Sequence, residues 1–165
     1  MQTNNCYLRP FDYDDAATIL HWCKDRWEFR LWSADRYKDF PASSDDMKRQ
    51  YSEANMYPLT MIENDRIVGH LMLKYPSDDK TIVRFCFVIV NDALRGKGYG
   101  KKIISLASDY AKNQMGAKTI TLGVFCDNLP ALECYKNAGF TVTSCNSFII
   151  DGEEWKGFEM ALSVK

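Results

Sequence analysis

The stretch that decides the fold is Val88-Ile-Val-Asn-Asp-Ala-Leu-Arg-Gly-Lys-Gly-Tyr-Gly-Lys-Lys102, which contains three glycines at alternate positions. The apolar run before it, residues 82–90, is rich in β-branched and aromatic residues and is interrupted only by Arg84, which is typical of a buried strand. After the glycines, apolar residues recur at helical spacing and predict a helix from about Gly98 to Met115, with Gly116 as its stop. The stretch therefore predicts a strand, a tight loop and a helix in direct succession.

The loop Arg95-Gly-Lys-Gly-Tyr-Gly100 has the properties of a phosphate site. Glycines let backbone N–H groups approach a ligand closely, and the first N–H groups of the following helix have no partner inside the helix. The helix dipole and the cations Lys97, Lys101 and Lys102 add positive potential there. The loop matches neither the dinucleotide-binding pattern nor the P-loop, and a basic exposed turn is the plainer interpretation of the hexapeptide alone.

Length and composition set broad limits. The 165 residues, 46% hydrophobic and 26% charged, indicate one globular domain spanning residues 1–165. A net charge of −1 gives no general attraction to nucleic acid, and no apolar run reaches the length of a membrane span, so we expect neither nucleic acid nor membrane as a partner. Without a signal-peptide pattern the chain is expected to be cytoplasmic. The six cysteines form no Cys-x-x-Cys pair, and with two histidines this predicts buried thiols and no metal.

The remaining patterns complete an α/β domain. A short strand, 6–9, precedes a helix with Ala16, Ile19, Leu20 and Cys23 on one face, and a second helix from Ser43 or Ser44 carries Met47, Tyr51 and Ala54. Asn64-Asp65 and Asp151-Gly152 predict two hairpins, and strands at 119–125 and 141–163 surround a short helix at 128–137. The order β-α-α-β-β-β-α-β-α-β-β predicts a mixed sheet of about seven strands, flanked on both faces by about four helices.

The segment from Trp22 to Phe40 is the most aromatic part of the chain. It holds three of the four tryptophans, interleaved with the carboxylates of Asp25, Glu28, Asp35 and Asp39. The plain interpretation is a helix or loop that packs aromatic side chains into the core. The alternative is an aromatic pocket with an acidic rim, which suits a cationic or hydrophobic amine.

A second motif follows the glycine loop by about 30 residues. Asn128 is placed to cap a helix, Ala131 and Tyr135 lie on one face of that helix, and Gly139-Phe140 end it. Together with Arg95-x-x-Gly98-x-Gly100, this pattern resembles the GNAT superfamily of acetyl-CoA-dependent N-acetyltransferases. The resemblance is strongest over residues 82–140, and Leu8-Arg-Pro with the acidic helix after it is similar to the RimJ/RimL-type branch. It implies the GNAT fold, with a twisted and mostly antiparallel sheet.

The resemblance also implies functional residues. The backbone of Val88 and Val90 is expected to pair with the pantetheine arm like an added strand, with the Val88 N–H facing the thioester oxygen. Asn128 is expected to bind the pantetheine or order a water, and Tyr135 to protonate the departing thiolate. The alternatives are that Asn128 only caps its helix and that Tyr135 only packs. The coenzyme A pyrophosphate is expected on the loop at Arg95, Gly96, Lys97, Gly98, Tyr99, Gly100 and Lys101.

Several points stay open at this level. Some family members carry a glutamate base on the central strand where this chain has Arg84, so a water chain, Glu133, Glu154 or His70 is considered for that role. A non-catalytic acyl-CoA-binding or sensory module is the alternative to direct transfer of acetyl from acetyl-CoA to a primary amine in a ternary complex. That amine belongs to a small molecule or to a protein terminus, and the chain is a monomer or a homodimer.

Overall fold

The structure of the chain is a computed structural model that describes residues 5–164. The predicted domain, 1–165, therefore extends beyond the described part at both ends. The strands are β1 (Cys6–Pro10), β2 (Met56–Glu63), β3 (Arg66–Lys74), β4 (Ile82–Val90), β5 (Thr119–Phe125), β6 (Thr141–Ile150) and β7 (Glu153–Ser163). The α-helices are α1 (Ala16–Leu20), α2 (Arg26–Ser33), α3 (Ser44–Gln50), α4 (Tyr99–Gln114) and α5 (Leu129–Asn137). None of the helices described in residues 5–164 is long and apolar enough to cross a membrane.

The seven strands form one mixed sheet in the order β1-β2-β3-β4-β5-β7-β6. Only β4 and β5 pair in parallel, and every other neighbouring pair is antiparallel. The predicted α/β class and strand number are confirmed. Residues 5–164 contain five α-helices rather than about four, because Asp25 caps an additional helix, α2, by accepting a hydrogen bond from the Glu28 N–H at 2.8 Å.

Both early helices are shorter than predicted. Helix α1 ends at Leu20, where the N–H groups of His21 and Trp22 bond to carbonyls three residues back, so Cys23 lies outside it. Helix α3 ends at Gln50, and Ala54 is exposed in the following turn. Asn55 there has a φ of 69°, which a right-handed helix cannot contain. The predictions that placed Cys23 and Ala54 on helical faces are wrong for this reason.

Two hydrophobic cores lie on opposite faces of the sheet. The larger core packs α4 and α5 against the central strands, with Ile103, Ile104, Ile120, Leu122 and Met160 almost fully buried. The smaller core packs α1, α2 and α3 against β3 and β4, and it contains Ile19, Trp22, Phe29, Tyr37, Met47 and Ile89. The sheet therefore has a helix layer on each side, and its central strands are covered on both faces.

Candidate functional site

The central strands β4 and β5 separate part of the way along the sheet. Residues Ile82–Phe85 of β4 pair with Thr119–Leu122 of β5, and the pairing stops there although β4 continues to Val90. The pairing of β4 with β3 shifts register opposite Leu71, where Phe87 has a φ of 56°, as in a β-bulge. Within residues 5–164, no strand pairs with the β5-facing edge of β4 after Phe85. The backbone of the predicted residues Val88 and Val90 therefore lies on an unpaired strand edge.

The glycine loop begins at the end of this open edge. Asn91 caps a short 3-10 turn by accepting a hydrogen bond from the Ala93 N–H at 3.0 Å. Gly96 and Gly98 then have φ values of 77° and 90°, which favour glycine, and Gly98 is the N-cap of α4. The Lys102 N–H bonds to the Gly98 carbonyl at 3.1 Å. The N–H groups of residues 99–101 therefore belong to the helix N-terminus, where an anion is stabilised.

The two largest side chains of the loop point away from it. The Arg95 guanidinium donates to the Trp22 carbonyl at 3.0 Å and to Glu28 Oε1 at 3.4 Å. The Tyr99 hydroxyl donates to the buried carboxylate of Glu63. These contacts hold the loop against neighbouring elements and leave its backbone groups open. The predicted Lys97 and Lys101 are exposed beside them.

Asn128 has the capping role that its position predicts. Its side-chain oxygen accepts a hydrogen bond from the Ala131 N–H at 3.4 Å, and its backbone N–H bonds to the Phe125 carbonyl at 3.0 Å. The residue lies at the end of β5, half-buried. It therefore fixes the direction in which α5 leaves the separated end of the sheet.

Tyr135 is buried in the larger core, with 7% of its surface exposed. Its ring lies against Phe140, with a distance of 6.0 Å between the ring centroids. Burial, followed by the charges of Cys134 and Cys86, raises the pKa of the phenol. Tyr135 thus interacts with Cys86, which lies on β4 just before the bulge. The phenol stays protonated at neutral pH, as an acid must.

The carboxylates and the histidine considered as bases lie in different surroundings. Glu133 is exposed on α5, and Glu154 accepts a hydrogen bond from the Ser147 hydroxyl at 2.7 Å in the β6–β7 hairpin. His70 is fully buried, and its Nε2 lies 2.6 Å from the Tyr51 hydroxyl. Burial lowers the pKa of His70 to about 3, so this imidazole is a poor proton acceptor at neutral pH.

An ion pair that the sequence analysis missed crosses the sheet beside the open edge. Arg84 donates from Nη1 and Nη2 to Glu159 on β7, at 2.7 and 2.9 Å. The pair passes over Gly123 of β5, where an added Cβ would lie 2.9 Å from Arg84 Nη2. A glycine inside a strand signals such a close approach, but it does not identify the partners.

Most of the aromatic segment forms core rather than an open pocket. The Phe29 ring packs against Trp32, Tyr37 and Phe40, at centroid distances of 5.2 to 5.9 Å. Trp27 is instead half-exposed. The structure thus supports the plain interpretation for most of this segment. Two of its carboxylates are also engaged, since Asp25 caps α2 and Glu28 bonds to the Lys24 N–H and to Arg95.

The chain is similar to known proteins in sequence and in fold. The model of the acetyltransferase (GNAT) family matches residues 17–140. A spermidine N-acetyltransferase from Vibrio cholerae, solved with CoA and spermine, superposes with a TM-score of 0.80 at 20% identity, covering 96% of this chain and 95% of that one. A candidate phosphinothricin N-acetyltransferase gives 0.77 at 19% identity, covering 98% and 99%. A comparison with curated protein sequences finds no match.

Proposed function

The chain belongs to the GNAT family of acetyltransferases, and we propose that it moves the acetyl group of acetyl-CoA directly to a primary amine within a ternary complex. The amine belongs to a small molecule or to a protein terminus. Membership establishes the enzyme as an acetyl-CoA-dependent N-acetyltransferase with acetyl-CoA as its co-substrate. The choice of acceptor and the roles of individual residues are the proposal.

The observation that carries the proposal is the unpaired edge of β4 leading directly into the N-terminus of α4. An extended pantetheine arm can add to Val88 and Val90 as a strand, because their β5-facing edge has no partner strand within residues 5–164. A pantetheine arm bound along β4 would place the pyrophosphate at the glycine loop. There the N–H groups of the helix N-terminus stabilise an anion, and the positive φ values of the glycines let the backbone approach it closely. One ligand would therefore satisfy both features.

The chemistry follows from the groups along that path. The Val88 N–H would stabilise the oxyanion that develops as the amine attacks the thioester carbonyl. The buried Tyr135 phenol, protonated at neutral pH, would give its proton to the departing CoA thiolate. The acceptor must lose a proton before attack, because a free amine is mostly protonated at pH 7. Since burial makes His70 a poor base, we propose that water carries this proton to solvent.

The first test is acetyl-CoA turnover, detected as free thiol, against a panel of amines and amino-terminal peptides. Wild type is compared with Tyr135→Phe and Gly100→Glu, because the glutamate would place a negative charge at the phosphate site. Gly100→Ala is the control for the added Cβ, which at Gly100 lies 3.3 Å from Cys134 Sγ.

Turnover that weakens in Tyr135→Phe, and that disappears with CoA binding in Gly100→Glu but not in Gly100→Ala, is the expected result. Tight acetyl-CoA binding without turnover of any acceptor would instead favour the acyl-CoA-binding module. Absence of CoA binding by the wild type would contradict the proposal altogether.

A further inference from the structure

Two cations lie side by side on the face of the sheet that carries the smaller core. Lys74 on β3 is the register partner of Arg84 on β4, so both side chains project from the same face. Like charges opposite each other on neighbouring strands repel, and this pair therefore needs a negative partner. Lys74 makes no ion pair with any residue in the described range 5–164.

Glu159 balances only one of these charges. It accepts hydrogen bonds from two of the five N–H donors of Arg84, and Cys86 is a further side-chain neighbour of the guanidinium, so donors remain for another partner. The ion pair is accessible from solvent, since 26% of the Arg84 side chain and 29% of the Glu159 side chain are exposed. Arg84 can therefore bind a second anion while Glu159 holds its guanidinium in a fixed orientation.

The Arg84 guanidinium reaches the point where β4 and β5 separate, beside the site proposed for acetyl transfer. Gly123, over which the Arg84–Glu159 pair passes, directly follows Leu122, the last residue of β5 that pairs with β4. Cys86, on the same face as Arg84, precedes the bulge. Burial raises the pKa of the Cys86 thiol, whereas the positive charges of Lys74, Arg84 and Arg36 act against that shift.

Arg36 is a weaker candidate than the other two. It lines a polar cleft of about 240 Å³ together with Asp39, Asp46 and Glu53, so carboxylates of its own surroundings are available to it. The anion site is therefore assigned to the sheet residues Lys74 and Arg84.

We propose that the acceptor carries, besides its amine, an anionic group such as a carboxylate, which binds Lys74 and Arg84. Glu159 is a positioning residue in this site, and the inference rests on the proposed function. The substrate class is then an amino acid or a short peptide rather than a polycationic amine. This substrate class differs from the cationic or hydrophobic amine that the aromatic segment from Trp22 to Phe40 predicts.

The spacing along β4 indicates how far the anion lies from the reacting nitrogen. Arg84 and Val88 are four residues apart, which is about 13 Å along an extended strand and somewhat less across a bulge. An α-carboxylate lies too close to its own amine to span this distance. An ω-amino acid with a chain of about eight to ten carbons, or a short peptide, fits it.

The test uses three acceptors of equal length: an ω-amino acid, the alkylamine that lacks the carboxylate, and the diamine that replaces it with a second ammonium. We expect kcat/KM to be highest for the amino acid, by about tenfold over the alkylamine, the size expected for one charge-assisted contact. Lys74→Met should remove that preference while the KM for acetyl-CoA stays unchanged. Lys112→Met, an exposed cation at the far end of α4, is the matched control.

A double variant covers the case in which loss of Arg84 alone unfolds the chain. Arg84→Met with Glu159→Met removes both charges and should also abolish the preference. Calorimetric binding of the amino acid to CoA-saturated protein gives a readout without turnover. Equal rates for all three acceptors, or a preference for the diamine, would overturn the inference and leave the proposed function intact. No CoA binding and no turnover would overturn both.

Discussion

At the scale of single residues, burial keeps two of the candidate catalytic groups in their neutral forms. Tyr135 and His70 are both titratable and both almost fully buried, and in each case burial disfavours the charged form. For the phenol this preserves a proton donor at neutral pH. For the imidazole it removes a base. The same physical effect thus supports one candidate catalytic role and argues against another.

Tyr135→Phe is expected to lower kcat by about tenfold to a hundredfold, at or below the lower end of the range for a general acid because a thiolate is a good leaving group. The KM for acetyl-CoA should change little, since the substitution removes one oxygen and keeps the ring on Phe140. Steady-state kinetics measures both constants. Tyr110→Phe, the same change on α4, is the control, and equal effects of the two variants would argue that Tyr135 only packs.

His70 gives a prediction about stability and pH. Its pKa in the folded chain is about 3, against an ordinary value of 6.5, so the folded state binds fewer protons than the unfolded state between these values. The free energy of unfolding should therefore be fully retained above about pH 6.5 and fall as the pH drops toward 3, by at most about 1.4 kcal/mol per pH unit.

Urea unfolding at a series of pH values measures this dependence. His70→Gln should be less stable at neutral pH because the contact with the Tyr51 hydroxyl is lost, yet its stability should depend less on pH over the same range. His21→Gln is the control, since His21 is exposed. An unchanged pH dependence in His70→Gln would contradict the assignment.

At the scale of elements, the capping of helix α5 by Asn128 can be tested separately from the proposed role of Asn128 in binding acetyl-CoA. Asn128→Ala should cost about 1 kcal/mol of stability through loss of the cap, and Ser43→Ala, which removes the cap of α3, should cost a similar amount. If Asn128 also contacts pantetheine or an ordered water, only its variant should change the kinetics with acetyl-CoA. Thermal unfolding and steady-state kinetics on both variants make the comparison, and unchanged kinetics would leave Asn128 a cap alone.

The elements that the sequence predicted well are those with local signals. The turn at Asn64-Asp65 has φ values of 50° and 61°, and Asp151-Gly152 has 50° and 81°, as two-residue hairpins require. Helix α4 begins one residue after Gly98, because the glycine is its N-cap. In each case residues adjacent in the chain determine the geometry, so the sequence pattern is sufficient.

The parts that could not be predicted depend on residues distant in the chain. Arg84 and Glu159 are separated by 75 positions, and they meet only because β7 pairs with β5 ahead of β6. A positive φ is usually predicted from a glycine, but the residue with this φ is Phe87, so the sequence carries no signal for it. The bulge at Phe87 arises from the pairing of β4 with β3. The apolar residues of the aromatic segment could also have lined a pocket, and only the tertiary packing shows that most of them form a second core.

At the scale of the whole molecule, the two helix layers divide the work of the proposed site. The layer of α4 and α5 supplies the glycine loop and Tyr135, which we assign to acetyl-CoA. The opposite face supplies Lys74 and Arg84, which we assign to the acceptor. The gap between β4 and β5 connects the two faces, so two substrates can reach one point from opposite sides of the sheet. Such an arrangement would allow a ternary complex.

This division predicts that acetyl-CoA stabilises the fold without any acceptor. A ligand present at about one hundred times its Kd adds about 2.7 kcal/mol, which raises the Tm of a chain of this size by about 5–10 °C. Amide hydrogen exchange should slow at residues 88–90 and 96–102, where the ligand is proposed to bind backbone groups. Gly100→Glu should lose both effects, whereas Lys74→Met, on the acceptor side, should keep them. A loss of both effects in Lys74→Met would show that the two faces do not bind their substrates independently.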